Sequence, residues 1–234
     1  MTMKILTISD KVDPLLHSPA VRRLFGDVDV VLGCGDLPHY YLEYIVTMIG
    51  GPLFYVIGNH SLELRHGADA LAPRMPRIPG EPNTGLQSDK RHEPEGCENI
   101  HGRVVRYHRL LLAGLEGSMR YSDKPDYQYT EREMAAQTRR LVPALLWNRL
   151  RHGRFLDILV THAPPAGIHD LNDPCHSGFR AFRTFMERFR PRFLIHGHIH
   201  LYGTTEPAQT LYRETRVINS YGYRLIEVDD ATLR

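Results

Sequence analysis

Val28-Asp29-Val30-Val31-Leu32-Gly33-Cys34-Gly35-Asp36 is a largely β-branched run that stops on a carboxylate set behind two glycines. Four other stretches stop in the same manner. Ile5-Leu6-Thr7-Ile8 leads to Ser9-Asp10, and Leu53 to Ile57 leads to Gly58-Asn59-His60. Ile158-Leu159-Val160 leads to Thr161-His162, and Phe193-Leu194-Ile195 leads to His196-Gly197-His198-Ile199-His200. Each run has the composition of a buried strand, so the pattern lines one edge of a sheet with oxygen and imidazole donors. Carboxylate, amide carbonyl and neutral imidazole together suit Mn, Fe, Zn or Co better than Ca or Mg.

Outward from these strand ends, the first sixty residues alternate strand and helix patterns. Ser18-Pro19-Ala20 opens a short helix, with Ser18 as N-cap and Pro19 at the first helical position. Pro38 starts a second helix that runs through Ile49 to Gly50-Gly51-Pro52. This β-α-β-α-β order predicts a parallel sheet with right-handed crossovers. From Ser61 to Asn99 the periodicity is lost among prolines and glycines, and the segment reads as a rim or lid over the site or else as a passive surface excursion. Arg103 to Tyr107 and Leu110 to Leu115 form a hairpin around His108-Arg109. Thr130-Glu131-Arg132-Glu133 is a capping box opening a helix, which Pro143 interrupts or restarts on the way to His152. A strand over Leu156 to Val160 precedes Thr161-His162. The helix from Ser177 to Arg190 carries Phe179, Phe182, Phe185, Met186 and Phe189 as a core stripe. Phe193 to Ile195, Arg216 to Asn219 and Tyr223 to Val228 are the last strands.

The 234 residues carry a net charge of +2, which gives no electrostatic case for nucleic acid or an anionic membrane. No apolar stretch reaches membrane-spanning length, and the start shows no secretory leader. Three cysteines do not make a disulfide framework, so a reducing, cytoplasmic setting is expected. Cys34 reads as a small buried residue. Neither a repeat nor a linker interrupts 1–234, read as one domain.

The order Asp…Gly-Asp…Gly-Asn-His…Thr-His…Gly-His-x-His resembles the calcineurin-like metallophosphoesterase family from Asp10 to His200. The resemblance implies an α/β fold of the four-layer α/β/β/α kind, a two-sheet β-sandwich core flanked by helices. It also implies two divalent transition metals and a metal-dependent phosphoesterase acting on a small-molecule monoester or diester. Two such ions about 3.5–4 Å apart clamp a phosphoryl group and lower the pKa of a shared water. By this resemblance Asp36 bridges the metals, Asp10 and His200 serve the first, and Asn59, His162 and His198 serve the second. His60 corresponds to the general acid or transition-state donor.

Two positions depart from the family pattern. Val12 stands where the Asp-x-His motif has a ligand imidazole, so the first metal site is expected to be weak. Asp13 either replaces that donor or serves as a turn residue before Pro14. Ser61 stands where an acid commonly follows Asn-His. His176 and Arg120, in segments near the site, are candidates to contact substrate phosphate. The competing reading is a binding or scaffold module that retains the fold without the chemistry, with Val12 as its argument.

Overall fold

A computed structural model describes residues 2–60, 93–123, 126–202 and 207–229. Most of the expected lid, residues 61–92, lies outside the described residues, as does Ser61.

The first sheet has strand order β13-β1-β2-β3-β4. It is built from β1 (Thr2–Ser9), β2 (Val30–Gly33), β3 (Leu53–Tyr55), β4 (Cys97–Asn99) and β13 (Gly222–Asp229). All neighbours are parallel except β13, which runs antiparallel to β1. The second sheet has order β11-β12-β10-β9-β6-β5. Its strands are β5 (Val104–Tyr107), β6 (Leu110–Leu115), β9 (Ile158–Thr161), β10 (Phe193–His196), β11 (Gln209–Tyr212) and β12 (Thr215–Asn219). Strands β6, β9, β10 and β12 are parallel, and the two edge strands close antiparallel hairpins. A small parallel pair, β7 (Ser118–Met119) and β8 (Gln128–Tyr129), stands apart.

Side-chain alternation along the strands divides the apolar interior into three layers. Ile5, Val30, Leu32, Leu112, Ile158, Val160 and Ile195 face one another between the sheets. Leu6, Ile8, Val31 and Leu53 turn to the other face of the first sheet, where α1 (Ala20–Phe25) and α2 (His39–Ile49) cover them. Leu111, Ala113, Leu159 and Leu194 turn outward from the second sheet. There they meet α3 (Glu131–Arg140), α4 (Val142–His152) and α5 (Arg180–Phe189). The result is helices, sheet, sheet, helices, the four layers expected. The Phe stripe of α5 is core, with Phe182 fully buried and Phe185 2% exposed.

Local expectations differ from the structure at three places. Ser18 is not a helix cap: its Oγ donates to Leu15 O at 2.7 Å, and Pro19 occupies the cap position with no side-chain bond. Cys97–Asn99, read as the end of the irregular segment, is a strand paired with Leu53–Tyr55. Its Cys-Glu-Asn sequence has no apolar signature, and the pairing with β3 makes it a strand. Strand β11, also unexpected, turns into β12 through Arg213 in left-handed conformation, φ 54°.

Candidate metal centre

All five donor-bearing strand ends lie at the carboxyl ends of parallel strands, β1, β2 and β3 in one sheet and β9 and β10 in the other. In open α/β sheets this edge is where ligands bind. Chain turns immediately past the strands aim the donors inward, and three of the expected ligands adopt left-handed backbone to do so. These are Asp10, φ 60°, Asp36, φ 52°, and His198, φ 67°. Such conformations cost about 1–3 kcal/mol in a non-glycine residue and concentrate at functional sites. Glycines make room for them. A Cβ on Gly58 would enter the Asp36 carboxylate, and one on Gly197 would strike Ser9 Oγ and Asp10 Oδ2.

Asp36, His162 and His198 bring donor atoms to within 4.8 Å of one another. His162 is fully buried. Its Nδ1 donates to the Cys34 carbonyl at 2.8 Å, so Nε2 is the nitrogen that faces Asp36 Oδ2 at 3.2 Å and Asn59 Oδ1 at 2.9 Å. His198 Nε2 donates to the Cys175 carbonyl at 2.8 Å, which leaves its Nδ1 as the lone-pair nitrogen. Asp36 Oδ1 accepts from the His60 amide at 2.9 Å, so His60 is carried beside the carboxylate without needing to be a ligand. Four expected ligands, Asp36, Asn59, His162 and His198, therefore meet as one group.

Asp10 and His200 form a looser pair alongside, with His200 Nε2 3.7 Å from Asp10 Oδ1. Asp10 also accepts from the His198 amide through both oxygens, at 3.0 and 2.9 Å, which ties the two groups together. His200 Nδ1 lies 2.6 Å from the Tyr202 hydroxyl, and the Tyr221 ring covers its face with centroids 4.7 Å apart. Val12 does not turn toward this pair in place of the missing imidazole; it packs against the apolar cluster beneath α1 and α2. Asp13 Oδ1 accepts from the Leu15 amide at 2.9 Å, the side-chain turn expected of an Asp before Pro14.

The electrostatics of the group fit a cation. Burial opposes charge on His162, but the adjoining Asp36 carboxylate overcomes it and raises the imidazole pKa to about 9. Burial likewise opposes charge on Asp36, and His162 overrides it, leaving the carboxyl at about 2. His162 Nε2, facing both Asp36 and Asn59, is a place where proton and metal ion would compete. His198 is kept neutral, its pKa lowered to about 4 by burial and by His162, which is the protonation state a ligand imidazole needs.

The remaining candidates separate. His176 lies at the site: its ring is 5.2 Å from that of His198, and its Nδ1 donates to Asp173 at 2.9 Å. Asp173, Cys175 and His176 form a further group of donor atoms within 4.8 Å of one another. Arg120 turns away from the metal-binding edge and pairs with Glu133 at 3.1 Å and with the Gln128 carbonyl at 3.4 Å. The residue that sequence reasoning missed is its neighbour. Tyr121 Oη accepts from Asn59 Nδ2 at 3.2 Å, across 62 positions of chain, and no local pattern announces that contact.

A two-sheet α/β sandwich whose parallel strands end in a shared cluster of Asp, Asn and His defines a class of metal-centred hydrolase folds. The chain belongs to the calcineurin-like phosphoesterase family, whose model matches residues 3–202. Membership implies binding of divalent metal. The chain is similar to the uncharacterized protein MJ1162 of Methanocaldococcus jannaschii, 29% identical over 207 residues, covering 85% of this chain and 80% of that protein. Its fold is similar to TT1561 of Thermus thermophilus, with TM-score 0.54, 12% identity and full coverage (100%) of both chains. It is also similar to GAP50, the anchor in the inner membrane complex of Plasmodium, with TM-score 0.52 and 10% identity, covering 98% of this chain and 82% of that one. Among the described residues, no helix is long and apolar enough to cross a membrane.

Proposed function

We propose that this chain is a metal-dependent phosphoesterase that hydrolyses small-molecule phosphomonoesters or phosphodiesters. The observation that carries the reading is the convergence of Asp36, Asn59, His162 and His198, with Asp10 and His200 beside them. In this reading Asn59, His162 and His198 hold one divalent ion, Asp10 and His200 hold a second, and Asp36 is shared. When bound, the ions supply Lewis-acid stabilisation of the phosphoryl group and activation of water. The chain's own groups do the rest. His60, placed by its amide on Asp36, donates to the leaving oxygen or to developing charge. His176, oriented by Asp173, presents Nε2 to the phosphoryl oxygens.

The test is a panel of phosphomonoesters, linear diesters and cyclic nucleotides, each offered with Mn, Fe, Zn, Co or Mg. The reading expects turnover that chelation abolishes and metal restores. His60→Ala is expected to lower it by about 10²–10⁴-fold with metal content unchanged. Loss of bound metal in that variant would instead make His60 a ligand.

A second reading is a binding module that has kept the fold and lost the chemistry. Val12 favours it, because the first pair is left with few protein donors and the valine packs elsewhere. A structural neighbour described as an anchor is consistent with such use of the fold. Metal analysis together with turnover of a chromogenic phosphodiester separates the two, since only the enzyme needs both.

A further inference from the structure

Tyr121 reaches the candidate metal cluster through Asn59, and its backbone is held by a buried side chain. Gln128 is 5% exposed, and its Oε1 accepts from the Tyr121 amide at 3.2 Å, the Ser122 amide at 3.2 Å and the Ser122 hydroxyl at 3.1 Å. That clamp fixes where the Tyr121 ring leaves the chain. At the far end of the ring, Oη takes the Asn59 Nδ2 hydrogen at 3.2 Å, while Asn59 Oδ1 faces His162. One side-chain amide therefore links the metal-binding position to the phenol. Cys175, the residue whose carbonyl fixes His198, lies close to the hydroxyl as well. A phenol keeps its O–H at neutral pH. Asn59 occupies a lone pair of Oη and leaves that proton to donate. Tyr121 is 38% exposed, so it is not sealed inside the core.

We propose that Tyr121 is a substrate-contact residue, its hydroxyl donating a hydrogen bond to a nonbridging oxygen of the phosphoryl group bound at the Asp36–Asn59–His162–His198 cluster. This rests on the phosphoesterase reading and adds to it a neutral donor opposite the charged groups. The contact requires only that the hydroxyl hydrogen turn toward a phosphoryl oxygen, a strong acceptor.

The test is Tyr121→Phe, which deletes the hydroxyl and keeps the ring. Three quantities are measured on the wild type and the variant. These are Mn affinity, binding of inorganic phosphate to the Mn-loaded protein by calorimetry, and kcat/KM for bis(p-nitrophenyl) phosphate. The expected result is Mn affinity unchanged, phosphate affinity weakened about 10-fold and kcat/KM lowered about 10–100-fold. Unchanged phosphate binding and turnover overturn the proposal. So does a fall in Mn affinity that accounts for the lost turnover, since Tyr121 would then act only by positioning Asn59. A wild type that neither binds phosphate nor turns over any ester removes the phosphoesterase reading, and the Tyr121 contact with it.

Discussion

Asp36 is the residue on which the candidate site turns: its Oδ1 takes the His60 amide at 2.9 Å, and its Oδ2 faces His162 Nε2 at 3.2 Å. Asp36→Asn keeps the shape and removes the charge, so both metal positions should lose affinity and His162 should lose the partner that keeps it protonated. Metal titration is expected to show neither site filled at wild-type affinity; one ion retained at full affinity would contradict a shared role. Val12 gives a second prediction. A histidine there must leave the apolar cluster under α1 and α2 to approach Asp10. Val12→His is therefore expected to destabilise the fold by about 1–3 kcal/mol without adding a tightly bound equivalent of metal. A rise in metal stoichiometry at unchanged stability would show the imidazole turning into the site. The convergence of the candidate ligands was legible in the sequence because each closes a strand run, so its place follows from chain direction alone. Tyr121 was not. Neighbouring residues of extended chain point to opposite sides, and it is Tyr121, not Arg120, whose side chain reaches Asn59.

At the scale of elements, the same contrast between local and distant partners holds. The capping box of α3 was legible because its partners are three residues apart: the Glu133 amide donates to Thr130 Oγ1 at 3.3 Å, and the Thr130 amide donates to Glu133 Oε2 at 2.7 Å. The start of α5 was not, because its cap is borrowed. Phe179 offers no side-chain acceptor, and the Arg180 and Ala181 amides donate to Glu131 of α3, at 3.0 and 2.7 Å. Glu131 thus satisfies two free amides of another helix and places a negative charge at its positive end. Glu131→Ala should cost about 1–2 kcal/mol and Thr130→Ala about 1 kcal/mol. Urea unfolding of both variants checks the order, and Glu131→Gln should recover only part of the loss, since it keeps an acceptor and drops the charge. The short edge strands β4 and β11 escaped for a related reason: three or four residues with few apolar side chains become strands only when a neighbour pairs with them.

For the whole molecule, the layered fold could be read from strand ends and periodicity, whereas its acid sensitivity needed the packing. Burial lowers the pKa of His101 to about 4, with Arg140 adding to the effect, and that of His196 to about 3, with His169 adding to it. Between pH 6.5 and 4 the unfolded chain binds protons these residues refuse in the fold, so stability falls as pH drops through that window. His162 acts oppositely in metal-free protein: raised to about 9, its contribution is complete below pH 6.5 and is lost as pH rises through 9. Urea midpoints of the metal-free protein should therefore peak near pH 6.5 and fall on either side of it. His101→Gln should flatten the acid limb, by about 3 kcal/mol at most across the window; an unchanged slope would mean His101 titrates normally. The link between Asp10 and the His198 amide carries a further consequence, in time rather than space. The two residues are 188 positions apart, and β1 is flanked by β2 and by β13, which spans Gly222–Asp229. During synthesis the ribosome must release nearly all of these residues before either the first sheet or the metal-binding edge can close. A nascent chain therefore cannot capture its metal early, and ion uptake becomes a report that translation of the domain has finished.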